Sequence, residues 1–257
     1  GCGTTDSPNQ PATSTTSNAS RSTVSGVASL DTTANGTVSV KDSSVPAQEK
    51  TAAINGDGVY TVNVSGLTPP FILKAAGTDQ TLYSISKNGG RANINPLSDI
   101  AVAASAENTE LSALYAMRSG DGDYYRTTTD NFERIINSLR TVLAPLFALY
   151  EVSGNAVSDD DDDDGERDDD DDSLRAMFRD VRFVVNDGRV NVTNRLTGAI
   201  IFSGSLRNLS AGTFYPENMP AGPGGSTACT YTYDAWGACQ SNGTQTRNLL
   251  TTSPAGC

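Results

Sequence analysis

Residues 50–64 read Lys-Thr-Ala-Ala-Ile-Asn-Gly-Asp-Gly-Val-Tyr-Thr-Val-Asn-Val, in which two β-prone runs flank an Asn-Gly-Asp-Gly turn. Apolar and polar residues alternate in the second run, Val59–Val64, as they do in a strand that is buried on one face. Asn-Gly and Asp-Gly pairs favour the positive φ angles of tight hairpin turns. The stretch therefore predicts a β-hairpin.

Similar short runs recur on both sides of this hairpin, separated by turn signals such as Asn35-Gly36 and Asn88-Gly89-Gly90. Strands of this length and spacing are typical of an antiparallel sandwich. The strand candidates are Thr23–Val27, Gly36–Val40, Lys50–Ile54, Val59–Val64, Phe71–Ala75 and Thr81–Ile85.

The segment from Ser22 to Ile94 resembles a known family. Gly36-Thr-Val-Ser-Val-Lys-Asp-Ser-Ser, the hairpin at 50–64 with its aromatic Tyr60, and Pro70-Phe-Ile-Leu-Lys-Ala are similar to the carboxypeptidase-regulatory-like, transthyretin-type β-sandwich of bacterial surface proteins. The resemblance implies an Ig/transthyretin-like sandwich that serves as a structural or carbohydrate-adjacent module. Most members of that family are not catalytic.

Helical patterns follow the sandwich. A first helix is expected from Asn95 to Ala104, with Ser98 as its N-cap. A second runs from Asp130 to about Tyr150 with one apolar face, and Pro145 should kink or divide it. A third, short helix is marked by apolar residues at helical spacing, namely Leu174, Met177, Phe178 and Val181.

A β-meander is predicted after the third helix, and its apolar face should cover the helices. Its strands are Arg182–Val185, Arg189–Thr193 and Ala199–Phe202. Ala211–Thr227 is rich in Gly and Pro and is interpreted as a linker.

An acidic run separates the second and third helices. Twelve carboxylates and one arginine lie between Asp159 and Asp172, while the whole chain carries a net charge of −12, so the rest of the chain is close to neutral. Packed like charges repel, and without a counter-ion the run should be a solvated spacer. A Ca²⁺ ion reverses that balance, because it takes roughly six to eight oxygen ligands.

The run contains the spacing of a calcium loop. Asp160, Asp162 and Asp164 precede Gly165, and Asp171 occupies the twelfth position. Asp168 belongs to a second block that could close around the ion. Any alternating register of six consecutive aspartates satisfies the pattern, so two hypotheses stay open: a Ca²⁺-binding loop and a solvated acidic spacer.

Composition excludes several classes of function. The 257 residues contain no histidine, which excludes histidine-based catalysis and gives no expectation of zinc or heme. Lys and Arg form no basic stripe, so nucleic acid is not an expected partner. No apolar run approaches the roughly 20 residues of a membrane helix, so the expected link to a membrane is a lipid or a partner.

The four cysteines fall into two groups. Gly1-Cys2-Gly3, followed by a polar stretch, looks like the end of a bacterial lipoprotein signal. That resemblance implies that Cys2 is acylated; the alternative is an ordinary cysteine, free or disulfide-bonded. Either state fits an extracytoplasmic compartment, at the bacterial outer membrane surface or beyond it, where disulfides persist.

The C-terminal segment resembles part of a thrombospondin type 1 repeat. It reads Trp236-Gly-Ala-Cys239, then Gly243-Thr-Gln-Thr-Arg247, in the Trp-x-x-Cys and Gly-x-x-x-Arg pattern of that family. The resemblance implies that Arg247 lies against the Trp236 face in a cation-π layer, and that Cys229 or Cys239 bonds to Cys257. It also implies adhesion or matrix contact. The pattern is partial, with one tryptophan and an odd cysteine count.

The sequence therefore predicts an α+β protein, mainly β with a helical insertion. The expected function is that of a non-enzymatic surface lipoprotein for adhesion or scaffolding, which contacts other surface proteins, matrix or polysaccharide. The alternative is a subunit of an extracellular filament or surface complex, including copies of itself, that assembles through the N-terminal arm. An enzyme acting on polysaccharide ranks last. The expected units are 1–21 (tether or docking arm), 22–95 (sandwich), 96–210 (helices, acidic loop and meander), 211–225 (linker) and 226–257 (thrombospondin-like module).

Overall fold

The computed structural model describes residues 21–31, 35–107, 110–116, 122–153, 169–223 and 230–253. Within these ranges the protein is a mixed α+β chain with four β-sheets and five helices. The predicted α+β class is confirmed at this level.

Two sheets are formed by residues 23–91. The first has the strand order β4-β1-β7 and the second the order β3-β2-β5-β6. Every pairing is antiparallel except that of β1 with β7, which is parallel. The strands are β1 (Thr23–Val27), β2 (Thr37–Lys41), β3 (Glu49–Ala53), β4 (Val59–Asn63), β5 (Phe71–Ala76), β6 (Thr81–Ser86) and β7 (Gly90–Arg91).

Apolar side chains of both sheets form the first core. Val24 and Val62 come from the first sheet, and Val38 and Leu73 from the second; each is at most 2% exposed. Burying a side chain of this size contributes about 1.5–3 kcal/mol. The β-hairpin predicted for residues 50–64 is not formed, because β3 pairs with β2 in the second sheet and β4 pairs with β1 in the first; the turn at 55–58 carries the chain from one sheet to the other. Tyr60 of β4 is buried in the same core, and its hydroxyl donates to the Ala92 carbonyl oxygen. Burial raises the pKa of Tyr60, which keeps the hydroxyl protonated as a donor.

Strand β7 was not predicted. It is only two residues long, and its partner β1 lies at the other end of the sandwich sequence, so no local pattern announces the pairing. Gly26 of β1 shows how close the approach is. A Cβ atom at Gly26 would lie 2.6 Å from the Ala92 carbonyl oxygen, so only glycine fits at this position.

Helix α1 begins one turn earlier than its predicted cap. Asn95 is the N-cap, and its Oδ1 accepts hydrogen bonds from the N–H groups of Leu97 (2.9 Å) and Ser98 (3.0 Å). Ser98, the predicted cap, is instead the third residue of a capping box, and its hydroxyl accepts from the Asn95 N–H at 2.9 Å. Pro96 explains the difference, because proline is favoured at the first helical position and the cap then precedes it.

The second predicted helix is divided, as expected from Pro145. Its first part ends at Val142, Leu143 leaves helical geometry with φ −98° and ψ 6°, and a short helix follows. The helices are α1 (Pro96–Ser105), α2 (Leu111–Ala116), α3 (Gly122–Val142), α4 (Ala144–Leu149) and α5 (Asp169–Asp180). Of these, α2 was not predicted.

The meander has four strands rather than the predicted three. They are β8 (Val181–Asn186), β9 (Arg189–Asn194), β10 (Ile200–Ser205) and β11 (Asn208–Phe214), in the order β11-β10-β9-β8. The fourth strand extends into the segment that was interpreted as a linker from residue 211. The prediction failed there because β11 is largely exposed and lacks the apolar alternation of its neighbours.

The helices form a second core between two sheets. Leu97, Leu139 and Met177 of the helices pack with Val192 and Phe202 of the meander, all of them at most 1% exposed. Ile72 and Tyr83, from the outer face of the second sandwich sheet, close the other side of this core. The order of layers is therefore sheet, sheet, helices, sheet, and the predicted cover of the helices by the meander is confirmed.

A separate hairpin forms the C-terminal part. Strands β12 (Thr230–Tyr233) and β13 (Leu249–Ser253) pair antiparallel as a two-stranded sheet. A hairpin of this size does not form a core by itself.

The contact of α1 with β6 predicts a pH-dependent stability. Asp99 accepts a hydrogen bond from the Tyr83 N–H at 2.9 Å, and burial raises the pKa of its carboxyl to about 7, although that hydrogen bond opposes the rise. Because the folded state holds the proton more tightly than the unfolded chain, stabilisation present below pH 4 is lost as the pH rises through about 7.

We therefore expect Asp99→Asn, which retains the acceptor without the charge, to unfold at higher urea concentration than the wild type above pH 7. The gain should be about 2 kcal/mol and should shrink towards pH 4. Asp79→Asn, at an exposed turn, is the control. Equal pH profiles for Asp99→Asn and the wild type would contradict this interpretation.

Candidate functional site

The end of the acidic run forms the first turn of a helix. Helix α5 begins at Asp169, five residues before the first apolar residue that predicted it, and Asp169–Asp172 lie at its N-terminus. The carboxylates of Asp171 and Asp172 are favourable there, because the unpaired N–H groups of the first turn and the helix dipole attract negative charge. The described part of the run is thus ordered by the helix that it starts.

Asp171 is buried in an ion pair with the sandwich. Its Oδ2 accepts from Arg91 Nη2 at 2.7 Å, and its Oδ1 accepts from Asn93 Nδ2 at 3.1 Å. The side chains of Arg91 and Asp171 are each 3% exposed. A buried carboxylate is tolerated only when it is paired and hydrogen-bonded in this way. We call these three residues the Asp171 dock.

The dock connects α5 to two strands of the sandwich at once. Arg91 belongs to β7, and Asn93 uses its Oδ1 to accept from the Val27 N–H of β1 at 2.9 Å. One turn further along α5, Arg175 Nη2 donates to the Asp57 carbonyl oxygen at 3.1 Å. Asp171 was predicted only as a calcium ligand, and the other side chains that join α5 to the sandwich, Arg91, Asn93 and Arg175, were not singled out from the sequence.

This geometry bears on the predicted calcium loop. Both carboxylate oxygens of Asp171 already accept hydrogen bonds, so an ion that used Asp171 as a ligand would compete with Arg91. The other predicted ligands, Asp160, Asp162, Asp164 and Asp168, lie outside the described residues. In the part of the chain that the structure describes, no three acidic or cysteine side chains are grouped so that they could hold a metal ion. Calcium binding stays a prediction.

The structure brings Trp236 and Arg247 together. The Arg247 guanidinium carbon lies 4.5 Å from the centre of the Trp236 ring and 3.9 Å from that of Tyr233, so the arginine is in contact with two aromatic rings. We call these three residues the Arg247 stack. Tyr233 was missed because the pattern quoted from the repeat begins at the tryptophan.

The loop between β12 and β13 is held by hydrogen bonds rather than by a core. Asp234 accepts from the Asn248 backbone N–H at 2.6 Å and from its side-chain Nδ2 at 2.8 Å. The Gly237 N–H donates to the Thr246 carbonyl oxygen at 2.9 Å. These bonds place Trp236 and Arg247 on facing sides of the loop. In residues 232–251 no side chain is fully buried.

The predicted cysteines are only partly described. Cys239 is exposed and carries a free thiol, so the implied alternative in which Cys239 bonds to Cys257 is not formed. Cys2, Cys229 and Cys257 lie outside the described residues, so the acylation of Cys2 and a bond between Cys229 and Cys257 stay predictions.

A second group of chemically versatile side chains has a structural role. Lys41 Nζ donates to the Tyr115 carbonyl oxygen at 2.6 Å, and Lys74 Nζ lies 4.5 Å from the centre of the Tyr115 ring. Burial raises the pKa of the Tyr115 hydroxyl, so it stays protonated and is a poor base. The group joins α2 to the second sandwich sheet.

Comparisons with known proteins add no relative. The sequence matches no protein-family model, and neither the search of characterised proteins nor that of solved structures returned a match. Among the described residues, no helix combines the length and apolar character needed to cross a membrane.

Removing the buried carboxylate should be strongly destabilising. Asp171→Ala leaves the Arg91 charge buried without its carboxylate, and we expect the free energy of unfolding to fall by about 3–5 kcal/mol in urea titrations. Asp187→Asn removes the same charge from an exposed turn and is the matched control; it should change stability by less than about 0.5 kcal/mol. Equal effects of the two substitutions would show that Asp171 contributes only through net charge.

Proposed function

We propose that this chain is a non-enzymatic, extracytoplasmic surface protein that acts in adhesion or scaffolding, with its C-terminal hairpin as the contact surface. The observation that carries the proposal is the Arg247 stack, in which an arginine and two aromatic rings are held together on an exposed loop. Trp, Tyr and Arg are the residues that most often dominate binding energy in protein–protein interfaces.

The hairpin exposes more apolar surface than a monomer needs to expose. Trp236 is 57% and Leu250 62% exposed, and Tyr233 and Leu249 are also exposed. Apolar side chains that are concentrated on one segment mark an interaction site, whereas scattered ones are ordinary. The expected partner is another protein of the cell surface, since the aromatic–arginine composition suits a protein interface.

The rest of the described chain suits a supporting role. The sandwich and the helical layer have separate cores that share the second sheet, and the Asp171 dock fixes α5 against the sandwich edge. Seven strands in two packed sheets also agree with the transthyretin-type resemblance of residues 22–94. Such a body would hold the hairpin away from an anchoring point.

Several features favour a binding role over catalysis. The chain contains no histidine, and the acid with the most clearly raised pKa, Asp99, is used to cap the N–H of Tyr83 in β6. The Lys–Tyr group at Tyr115 is a packing contact between elements.

We also propose an anchor and a compartment from the sequence resemblances. Acylation of Cys2 would hold the protein at the bacterial outer membrane surface through lipid alone, and residues 3–21 would act as the tether.

Calcium binding by the acidic run is part of the proposal. Asp160, Asp162, Asp164 and Asp168 would supply ligands, while Asp171, held in its dock, would fix the end of the run where α5 begins. Neutralising these charges would remove repulsion next to α5 and stiffen its junction with the preceding helix.

A calorimetric titration with CaCl₂ tests the calcium site. We expect a dissociation constant of about 10⁻⁴–10⁻³ M and a rise in melting temperature at millimolar Ca²⁺. Replacing the six aspartates at 159–164 together by Ala, which removes every alternating register, should abolish both effects, whereas Asp187→Asn should preserve them. Absence of heat and of any thermal shift in the wild type would leave the run as a solvated spacer.

An attachment assay tests the adhesive surface. Beads coated with the full chain should attach to cells that display the protein's surface partners, and Trp236→Ala should reduce attachment about tenfold, as loss of an interface hot spot does. Tyr215→Ala, at an exposed aromatic outside the hairpin, is the control.

Unchanged attachment by Trp236→Ala would refute the adhesive role of the hairpin. If deletion of residues 1–20 abolished attachment and self-association instead, the alternative of a filament subunit assembled through its N-terminal arm would be favoured.

A further inference from the structure

A cleft lined with arginines lies where α5 meets the sandwich and the meander. It has a volume of about 410 Å³, within the range of sites for small molecules. The sandwich contributes the segment after β1 and the turn before β4, α5 contributes one face, and the turn after β9 closes the end. The lining residues are Ser29, Leu30, Asp31, Gly56, Arg175, Phe178, Arg179 and Arg195.

Two of the three arginines are already held in place. Arg175 donates to the Asp57 carbonyl oxygen at 3.1 Å. Arg195 donates from Nε to the Val181 carbonyl oxygen at 3.2 Å, and its Nη2 lies 3.6 Å from Asp31 Oδ1. Side chains fixed in this way lose little conformational freedom when a ligand binds.

Arg179 is different. It is exposed at the mouth of the cleft and makes no hydrogen bond or salt bridge with any residue in the described ranges. Its planar guanidinium can therefore form the paired hydrogen bonds that arginine makes with a carboxylate. The cleft gathers positive charge in a chain whose net charge is −12, so the arrangement favours a negatively charged ligand.

A second depression lies next to this cleft. It has a volume of about 440 Å³, shares Arg179 and Arg195 with the first and runs along the turn after β9 to the segment near Met219. The two depressions therefore lie side by side, with Arg179 and Arg195 lining both and Asp180 lining the second.

The other residues that line the cleft restrict the class of ligand that could bind. Asp31 and Ser29 offer acceptors and a donor that suit hydroxyl groups, and Leu30 and Phe178 provide an apolar wall. Asp180 lines the adjoining depression next to Arg179, and its negative charge disfavours a polyanion. A ligand with one carboxylate, several hydroxyls and an apolar face satisfies all three conditions.

We propose that this cleft binds an acidic sugar, a hexuronate unit whose carboxylate is held by Arg179 and whose hydroxyls contact Asp31 and Arg195. The inference goes beyond the adhesive function proposed for the C-terminal hairpin, because it concerns a different surface formed by other elements. It assigns to the α5 face a ligand class as well as a packing role.

The proposal is tested on the full chain by a titration with galacturonate, followed by NMR of the backbone amides. We expect saturable shifts at Asp31, Gly56 and Arg179, with millimolar affinity. Galactose, which lacks the carboxylate, and acetate, which lacks the sugar, should each bind at least about tenfold more weakly.

Variants identify the site. Arg179→Gln should weaken galacturonate binding about tenfold, and Arg179→Lys, which keeps the charge but not the planar fork, should weaken it a few-fold. Arg134→Gln removes an exposed arginine from α3 and should change nothing. Because Arg179 and Arg134 are both exposed, all three variants should have the melting temperature of the wild type. A loss of binding can then be distinguished from a loss of folding.

Three results would overturn the proposal: no saturable shift with galacturonate, equal binding of acetate and galacturonate, or equal loss in Arg134→Gln and Arg179→Gln. Binding of an oligo-aspartate peptide without binding of galacturonate would also overturn it, and would reassign the cleft to acidic peptides. The attachment assay with Trp236→Ala does not involve this cleft, so the two proposals can fail separately.

Discussion

The contact between Asp171 and Arg91 fixes the position of α5, on which the rest of this region depends. A carboxylate and a guanidinium, each 3% exposed, meet at 2.7 Å, and Asn93 satisfies the second carboxylate oxygen. Moving two charges out of water is expensive, and the pair is tolerated only because each charge is paired and hydrogen-bonded, although Arg91 Nε itself has no hydrogen-bond partner among the described residues. That requirement fixes the rotation and depth of α5 against the sandwich.

Other features follow from the placement of α5. Its apolar residues, such as Leu174 and Met177, reach the second core between the helices and the meander. Its arginines, Arg175 and Arg179, face the cleft between the sandwich and the turn after β9. Since the acidic run ends in the first turn of the same helix, one element carries the end of that run and two of the three arginines of the cleft. Electrostatics, fold and proposed binding are coupled through a single helix.

Local patterns were sufficient for much of this fold. All six predicted sandwich strands lie within one residue of the observed boundaries, because alternation and Asn/Asp-Gly turns are short-range signals. Pro145 divided its helix for an equally local reason. Two long-range features were not predicted. One is the pairing of β1 with β7, and the other is the set of partners of Asp171, which lie about 80 residues earlier in the chain. Nothing in a run of aspartates indicates which of them will be buried.

The same distinction between local and long-range features applies to the candidate sites. The resemblance to a thrombospondin type 1 repeat implied the pairing of Trp236 with Arg247, and the structure places them together. The contact of Tyr233 with Arg247 and the arginine cleft are visible only in three dimensions. The cleft gathers residues from the sandwich, α5 and the meander, so no contiguous motif could identify it. The acidic run is ambiguous for a different reason. Its repetitive sequence fits many registers of the calcium-loop pattern equally well, so the sequence cannot single out which aspartates are ligands.

The most direct measurement of the central claim is a double-mutant cycle on Asp171 and Arg91, using Asp171→Leu, Arg91→Met and the double variant in equilibrium unfolding. If the buried pair fixes α5, each single variant loses several kcal/mol, and the double variant recovers most of that loss, which gives a coupling energy above about 2 kcal/mol. Additive losses, with a coupling energy near zero, would contradict the claim and show that α5 is positioned by its apolar packing alone.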